Sequence, residues 1–131
     1  MKKSILYINQ PLWARMLNMI NFKSTDISEI DLDPETWHEN EGEFVWSYPN
    51  ARIIVNNNPK LCLVLKCPIG REVIIKSKYF GVKKFLKKDK VYTFVIDTRN
   101  LNEVFIDTVA YSPSGDTREL GLCFYNITDR I

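Results

Sequence analysis

Ser114-Gly-Asp-Thr-Arg-Glu-Leu-Gly-Leu-Cys-Phe-Tyr-Asn-Ile127 decides how the chain reads. A polar turn carrying Asp116 and Arg118 runs directly into an apolar segment, with Leu120, Leu122 and Phe124 at alternate positions. Residues two apart on an extended chain share a face, so this is a closing strand with one apolar side. In the same geometry Asp116 and Arg118 point the same way: one carboxylate can fix the guanidinium while its fork is offered to another, from Glu39 or Glu41. Gly121 permits close approach of a neighbouring strand or an aromatic ring.

Working outward, residues 44–46, 51–55, 61–67, 72–76, 91–97, 104–111 and 120–127 are short runs rich in β-branched and aromatic side chains. Pro49-Asn50, Asn56-Asn-Asn-Pro59, Pro68-Ile-Gly70, Thr98-Arg-Asn100 and Ser112-Pro-Ser-Gly115 supply turns between them. This punctuation predicts an antiparallel β-sandwich or barrel rather than βαβ units. With 131 residues, 45% hydrophobic and 26% charged, one globular domain is expected, burying about 65% of its unfolded surface.

Ahead of the strands, Leu12, Trp13, Met16, Leu17 and Ile20 recur at helical spacing, with Asn9 placed to cap, and predict one amphipathic helix packed on the domain. From 23 to 42 no periodicity holds, which reads as an exposed acidic linker. The expected organisation is therefore an N-terminal helix and linker over 1–35 and a β-sandwich over 36–131. Residues 76–90 fit two patterns. As a helix, Tyr79, Val82, Phe85 and Leu86 share one side; as strand and turn, Lys87-Lys-Asp-Lys90 is a charged hairpin. The short helix or turn is the favoured reading.

The net charge of +2 conceals a division: residues 26–43 hold eight of the sixteen acidic residues and no Lys or Arg, whereas residues 76–90 hold seven lysines against Asp89. Lys76, Lys78, Lys83, Lys84, Lys87 and Lys88 form a basic surface, most simply a solvated face. Interleaved with Tyr79, Phe80 and Phe85 they also suit phosphate contact and stacking, but the segment has no arginine and the acidic block repels a polyanion. The longest apolar run, 61–65, is five residues, against roughly 20 for a membrane-spanning helix. Lys2 and Lys3 before Ile5-Leu-Tyr-Ile8 imitate a signal peptide, but Asn9, Gln10 and Pro11 cut the apolar part below the ~7 residues required. A cytoplasmic location is expected. Cys62, Cys67 and Cys123 lack metal-site spacing, and on an extended strand the first two stand about 16 Å apart, so buried thiols are expected.

No cofactor or metal is implied. Asp31-x-Asp33-x-Glu35 fails as an EF-hand because Thr36 stands at the sixth position and Gly42 at the twelfth. His38, the only histidine, sits among Glu39, Glu41 and Glu43 and does not assemble a catalytic base from any recognisable pattern. The acidic cluster likewise reads as exposed carboxylates, not the pair a glycosidase sets across a cleft. Trp37, Trp46, Tyr48 and Tyr111 with Glu39, Asp116 and Arg118 are suitable types for sugar stacking and hydroxyl bonding. Trp46, inside an apolar run, reads as core.

Trp37-His-Glu-Asn-Glu41, Trp46-Ser47 and Ala51, followed by Asp116-Thr-Arg-Glu-Leu-Gly-Leu-Cys-Phe-Tyr-Asn-Ile127, resemble the accessory β-sandwich domain found beside bacterial surface-polysaccharide glycosyltransferases. That family opens on Gly-Trp followed by Glu, continues with a Trp-Ser strand and closes with Asp-x-Arg-x-Leu-Gly. Thr36 stands here for the glycine and Asn40 where proline often precedes the glutamate. The resemblance spans 36–131 and implies a non-catalytic, carbohydrate-binding-like module. Together these readings predict an all-β, antiparallel sandwich of jelly-roll character behind one helix. Its expected ligand residues are Trp37, Glu39, Glu41, Tyr48, Tyr111, Asp116 and Arg118, with Asp116 and Arg118 equally readable as a strut. The expected partner is a glycan or a polysaccharide-synthesis protein. An inhibitor or immunity-type protein binder is the alternative, and nucleic acid ranks third.

Overall fold

A computed structural model describes residues 4–10, 30–56, 58–113 and 115–129. These residues form ten strands: β1 (Ser4–Ile8), β2 (Asp31–Leu32), β3 (Val45–Trp46), β4 (Asn50–Ile54), β5 (Lys60–Lys66), β6 (Arg71–Lys76), β7 (Gly81–Leu86), β8 (Val91–Asp97), β9 (Glu103–Thr108) and β10 (Cys123–Thr128). They make two five-stranded sheets, ordered β1-β8-β5-β10-β3 and β2-β4-β9-β6-β7. Every pairing is antiparallel except β1 on β8. The expected helix over residues 12–20 lies outside the described residues. No helix occurs among those described, and none is long and apolar enough to cross a membrane.

Period-2 patterning explains why the sheets face each other. Leu61, Leu63 and Leu65 of β5, Phe94 and Ile96 of β8 and Phe124 of β10 are 0–1% exposed. Opposite them lie Ile53 of β4, Ile75 of β6 and Val104 and Ile106 of β9, at 0–2%. One apolar core fills the space between. Chain reversals use left-handed backbone where polar side chains tolerate it, at Asn56, Asp89 and Asn100. Cys62, Cys67 and Cys123 are free and buried, and burial pushes each thiol above its ordinary range.

Three elements depart from the sequence reading. The favoured helix or turn in the lysine-rich segment is, over Gly81–Leu86, strand β7, paired along its length with β6. A helix would put Phe85 and Leu86 on one side, but Phe85 is 57% exposed and Leu86 is fully buried, the alternation of a strand. Only Lys87–Lys90 forms the charged turn, closed by Lys90 N–H donating to the Lys87 carbonyl at 3.3 Å. Asp31–Leu32, within the stretch read as linker, pairs with β4, and the segment imitating a signal peptide supplies β1.

Candidate functional site

β3 and its flanks set the site. His38 N–H donates to the Trp46 carbonyl (2.9 Å) and Trp37 bridges to Ser47, so the two segments run antiparallel. Alternation then sorts their side chains. Trp37, Val45 and Ser47 are buried, whereas His38 and Trp46 are half-buried and Tyr48 is exposed. The outward rings associate. His38 lies flat on Tyr48, with centroids 4.0 Å apart and planes 9° apart. Trp46 stacks loosely with Tyr111, at 6.2 Å and 24°. His38 is held by Nε2, 2.6 Å from the Glu119 carbonyl. A carbonyl only accepts, so Nε2 carries the proton.

The closing segment locks beneath this row. Ser47 N–H donates to Leu122 O (2.9 Å), Gly121 N–H to Ser47 O (2.7 Å) and Leu122 N–H to Ser47 Oγ (3.0 Å). Gly121 is required there: a Cβ would stand 2.4 Å from the Tyr48 carbonyl oxygen and 2.6 Å from Ser47 Oγ. Tyr111 and Leu120 exchange both backbone hydrogen bonds, which brings the Tyr111 ring to the same edge.

Beside the rings stands a charged array. Arg118 Nε and Nη2 donate to the two oxygens of Asp116 at 3.1 and 2.7 Å, and the Arg118 backbone N–H donates to the same carboxylate at 2.9 Å. Arg118 Nη1 reaches Glu41 at 3.4 Å. It is therefore Glu41, not Glu39, that supplies the second carboxylate, and Glu39 stands exposed. The Arg118 hydrogen bonds hold the Asp116 carboxyl down at about 2, while Asp116 raises the Arg118 guanidinium further above its ordinary value. Arg118 and Glu41 remain 38% and 39% exposed at the side chain, so both are open to solvent. An open depression of about 270 Å³, lined by Leu32, Gly42, Phe44 and Tyr125, borders the other side of the loop that carries Glu41.

The chain matches no family model, curated protein or solved structure.

Of the expected ligand residues, the structure brings Glu41, Tyr48, Tyr111, Asp116 and Arg118 to one rim. Trp37 is not on it. Its ring is 6% exposed, packs edge-on to Phe124 at 5.0 Å and donates its indole N–H to Arg52 O at 2.9 Å, which makes it a core side chain. Trp46, read as core, takes the outward place, and His38 joins it. The expected basic surface is partly paired: Lys76 meets Asp107 at 2.6 Å, Lys83 meets Glu72 at 3.8 Å, and the Lys78 ammonium lies 5.5 Å from the Tyr79 ring centre. Lys87 and Lys88 are exposed, and Lys84 is half-buried. Among the described residues no group of three His, Cys, Asp or Glu is placed to hold a metal ion.

Proposed function

We propose that the chain is a non-catalytic, carbohydrate-binding-like module that serves surface-polysaccharide synthesis. One observation carries the reading: two outward ring pairs, His38–Tyr48 and Trp46–Tyr111, stand on the same rim as the Glu41–Arg118–Asp116 array. Sugars are recognised by apolar C–H faces on aromatic rings and by planar polar groups that bond hydroxyls in a fixed orientation. Arg118, oriented by Asp116, and Glu41 supply the second kind. The strand order supports the jelly-roll reading, because β3 to β10 divide into two four-stranded groups, β8-β5-β10-β3 and β4-β9-β6-β7, as two interleaved Greek keys would. Three free buried thiols suit the reducing cytoplasm.

The test is titration with surface polysaccharides in parallel with two substitutions. Trp46→Ala is expected to weaken binding by about 0.5–1.5 kcal/mol and to leave a cooperative melt. Trp37→Ala destabilises by about 3–5 kcal/mol through the core. Failure of every glycan to bind the wild type sinks the reading.

A second reading rests on β7, the outer edge of its sheet, where Phe85 is 57% exposed among lysines. An unpaired strand edge can accept a partner strand, and its lysines select an acidic protein. Binding there weakens steeply with salt, unlike ring-stacked sugar.

A further inference from the structure

Arg71 opens β6, where it pairs with Leu86 of β7, and it is only 6% exposed. Its guanidinium, a cation, is thereby carried into the protein interior. One of its three nitrogens is satisfied: Nη1 donates to the Val109 carbonyl. The guanidinium carbon lies 5.5 Å from the centre of the Tyr111 ring, which in turn stacks on Trp46. Nε and Nη2 are shielded from solvent and have no hydrogen-bond partner among the described residues. Among the described residues no carboxylate forms an ion pair with Arg71.

Arg118 offers the comparison within the same molecule, since its Nε and Nη2 are the two nitrogens that grip Asp116. These two donors project in parallel from one edge of the guanidinium and match the two oxygens of a carboxylate. Arg71 presents the same edge with no partner on it among the described residues. An unpaired buried charge costs several kcal/mol, and an arriving anion removes that cost while forming two charge-assisted bonds. The Val109 carbonyl and the Tyr111 ring, which meet the guanidinium, belong to residues reaching the surface: Val109 is 70% exposed and Tyr111 is half-buried. The backbone of Tyr111 is fixed by its exchange with Leu120, so a ligand reaching this edge past Tyr111 would require its side chain to rotate.

We propose that Arg71 anchors a carboxylate subsite under the Trp46–Tyr111 pair, and that the saccharide bound on this rim is an acidic one, bearing a uronic-acid carboxylate. The inference rests on the glycan reading and names the chemical class of its ligand. The carboxylate lies along the Nε–Nη2 edge while the sugar ring meets the aromatic pair.

The experiment is isothermal titration of the full chain with a glucuronic-acid-containing tetrasaccharide and with the same tetrasaccharide after its carboxyl groups are reduced to alcohols. The acidic form is expected to bind about 30-fold more tightly. Arg71→Met fills the same space without the charge, so it is expected to melt at or above the wild-type temperature and to bind the two forms alike. Where Arg71→Met does not fold, Arg71→Lys keeps the charge and loses the fork; a drop of about 10-fold confined to the acidic form supports the subsite, and an unchanged affinity overturns it. Equal binding of both saccharides by the wild type overturns the carboxylate subsite and leaves the glycan reading standing. A preference for the acidic form that survives in Arg71→Met overturns it as well, placing acid recognition elsewhere. Binding of neither saccharide, nor of any other surface glycan, removes both readings together.

Discussion

Gly121→Ala adds one methyl group at the point where the closing segment crosses β3. The added carbon would stand 2.4 Å from the Tyr48 carbonyl oxygen, 2.6 Å from Ser47 Oγ and 2.9 Å from the Tyr48 carbonyl carbon. Optimal contact is about 3.5 Å, so the two backbones must part by roughly 1 Å. Ser47 Oγ could rotate away, but the other two atoms are Tyr48 main chain, which a rotamer change cannot relieve. Gly121 does not occupy left-handed backbone, so the whole cost is steric. Separation strains three short hydrogen bonds, Gly121 N–H to Ser47 O, Ser47 N–H to Leu122 O and Leu122 N–H to Ser47 Oγ. Overpacking and loss of part of those bonds amount to about 3 kcal/mol. In a domain of this size that lowers the melting temperature by about 10 °C. Circular dichroism melts of Gly121→Ala measure it against Gly81→Ala, whose added carbon meets nothing within 4 Å and whose melting temperature should hardly move. A Gly121→Ala protein that melts with the wild type would refute the described crossing of the two segments.

Two further outcomes test other parts of the structure. Leu86→Ala, at a fully buried position, is expected to cost about 3 kcal/mol in urea unfolding, whereas Phe85→Ala should cost less than about 0.5 kcal/mol; equal costs would restore the helical reading of the segment. Asp116, held at about 2 by Arg118, lies below the ordinary carboxylate value of about 3.9. Its contribution is therefore complete above the unfolded-state value and declines as pH falls through about 2. The difference in melting temperature between wild type and Asp116→Asn should be constant above about pH 5 and shrink from pH 4 to 2. A difference that grows on acidification contradicts the pairing.

Strands with two neighbours were legible in the sequence because both constraints on them act locally. β5 and β8 bury Leu61, Leu63, Leu65, Phe94 and Ile96 at alternate positions, and turn residues bound each run. β7 obeys the same period but has a single neighbour among the described residues, and Val82 and Lys84 are only half-buried while Leu86 alone is fully enclosed. Lysine at an edge is the ordinary protection of an unpaired strand, and it erased the contrast that marks a strand and left a pattern that a helix also satisfies. β1 and β2 exist through their pairing with β8 and β4. Five or two residues of their own carry too little periodicity to announce them.

The site divides along the same line. The Asp116–Arg118 pair could be read from a spacing of two residues, and a second acceptor narrowed to Glu39 or Glu41, a choice that only the fold makes. Trp37 and Trp46 exchanged roles because alternation fixes which residues share a face but not which face is inward. That choice belongs to Ser47, whose hydroxyl and backbone are engaged by Gly121 and Leu122, more than seventy positions away. The phase set there turns Trp37 inward and Trp46 outward. Arg71 carries the argument furthest. At the start of a strand an arginine ordinarily lies in solvent, and nothing within several residues of it suggests otherwise. Its burial comes from Val109 and Tyr111, which reach it only after β6 to β9 have folded. A charge buried by long-range topology, with one edge of its fork unanswered, contributes no folding stability that an apolar side chain of the same size would not exceed. The acidic saccharide proposed for this rim would answer that open edge, and the Arg71→Met protein separates such a role from packing alone.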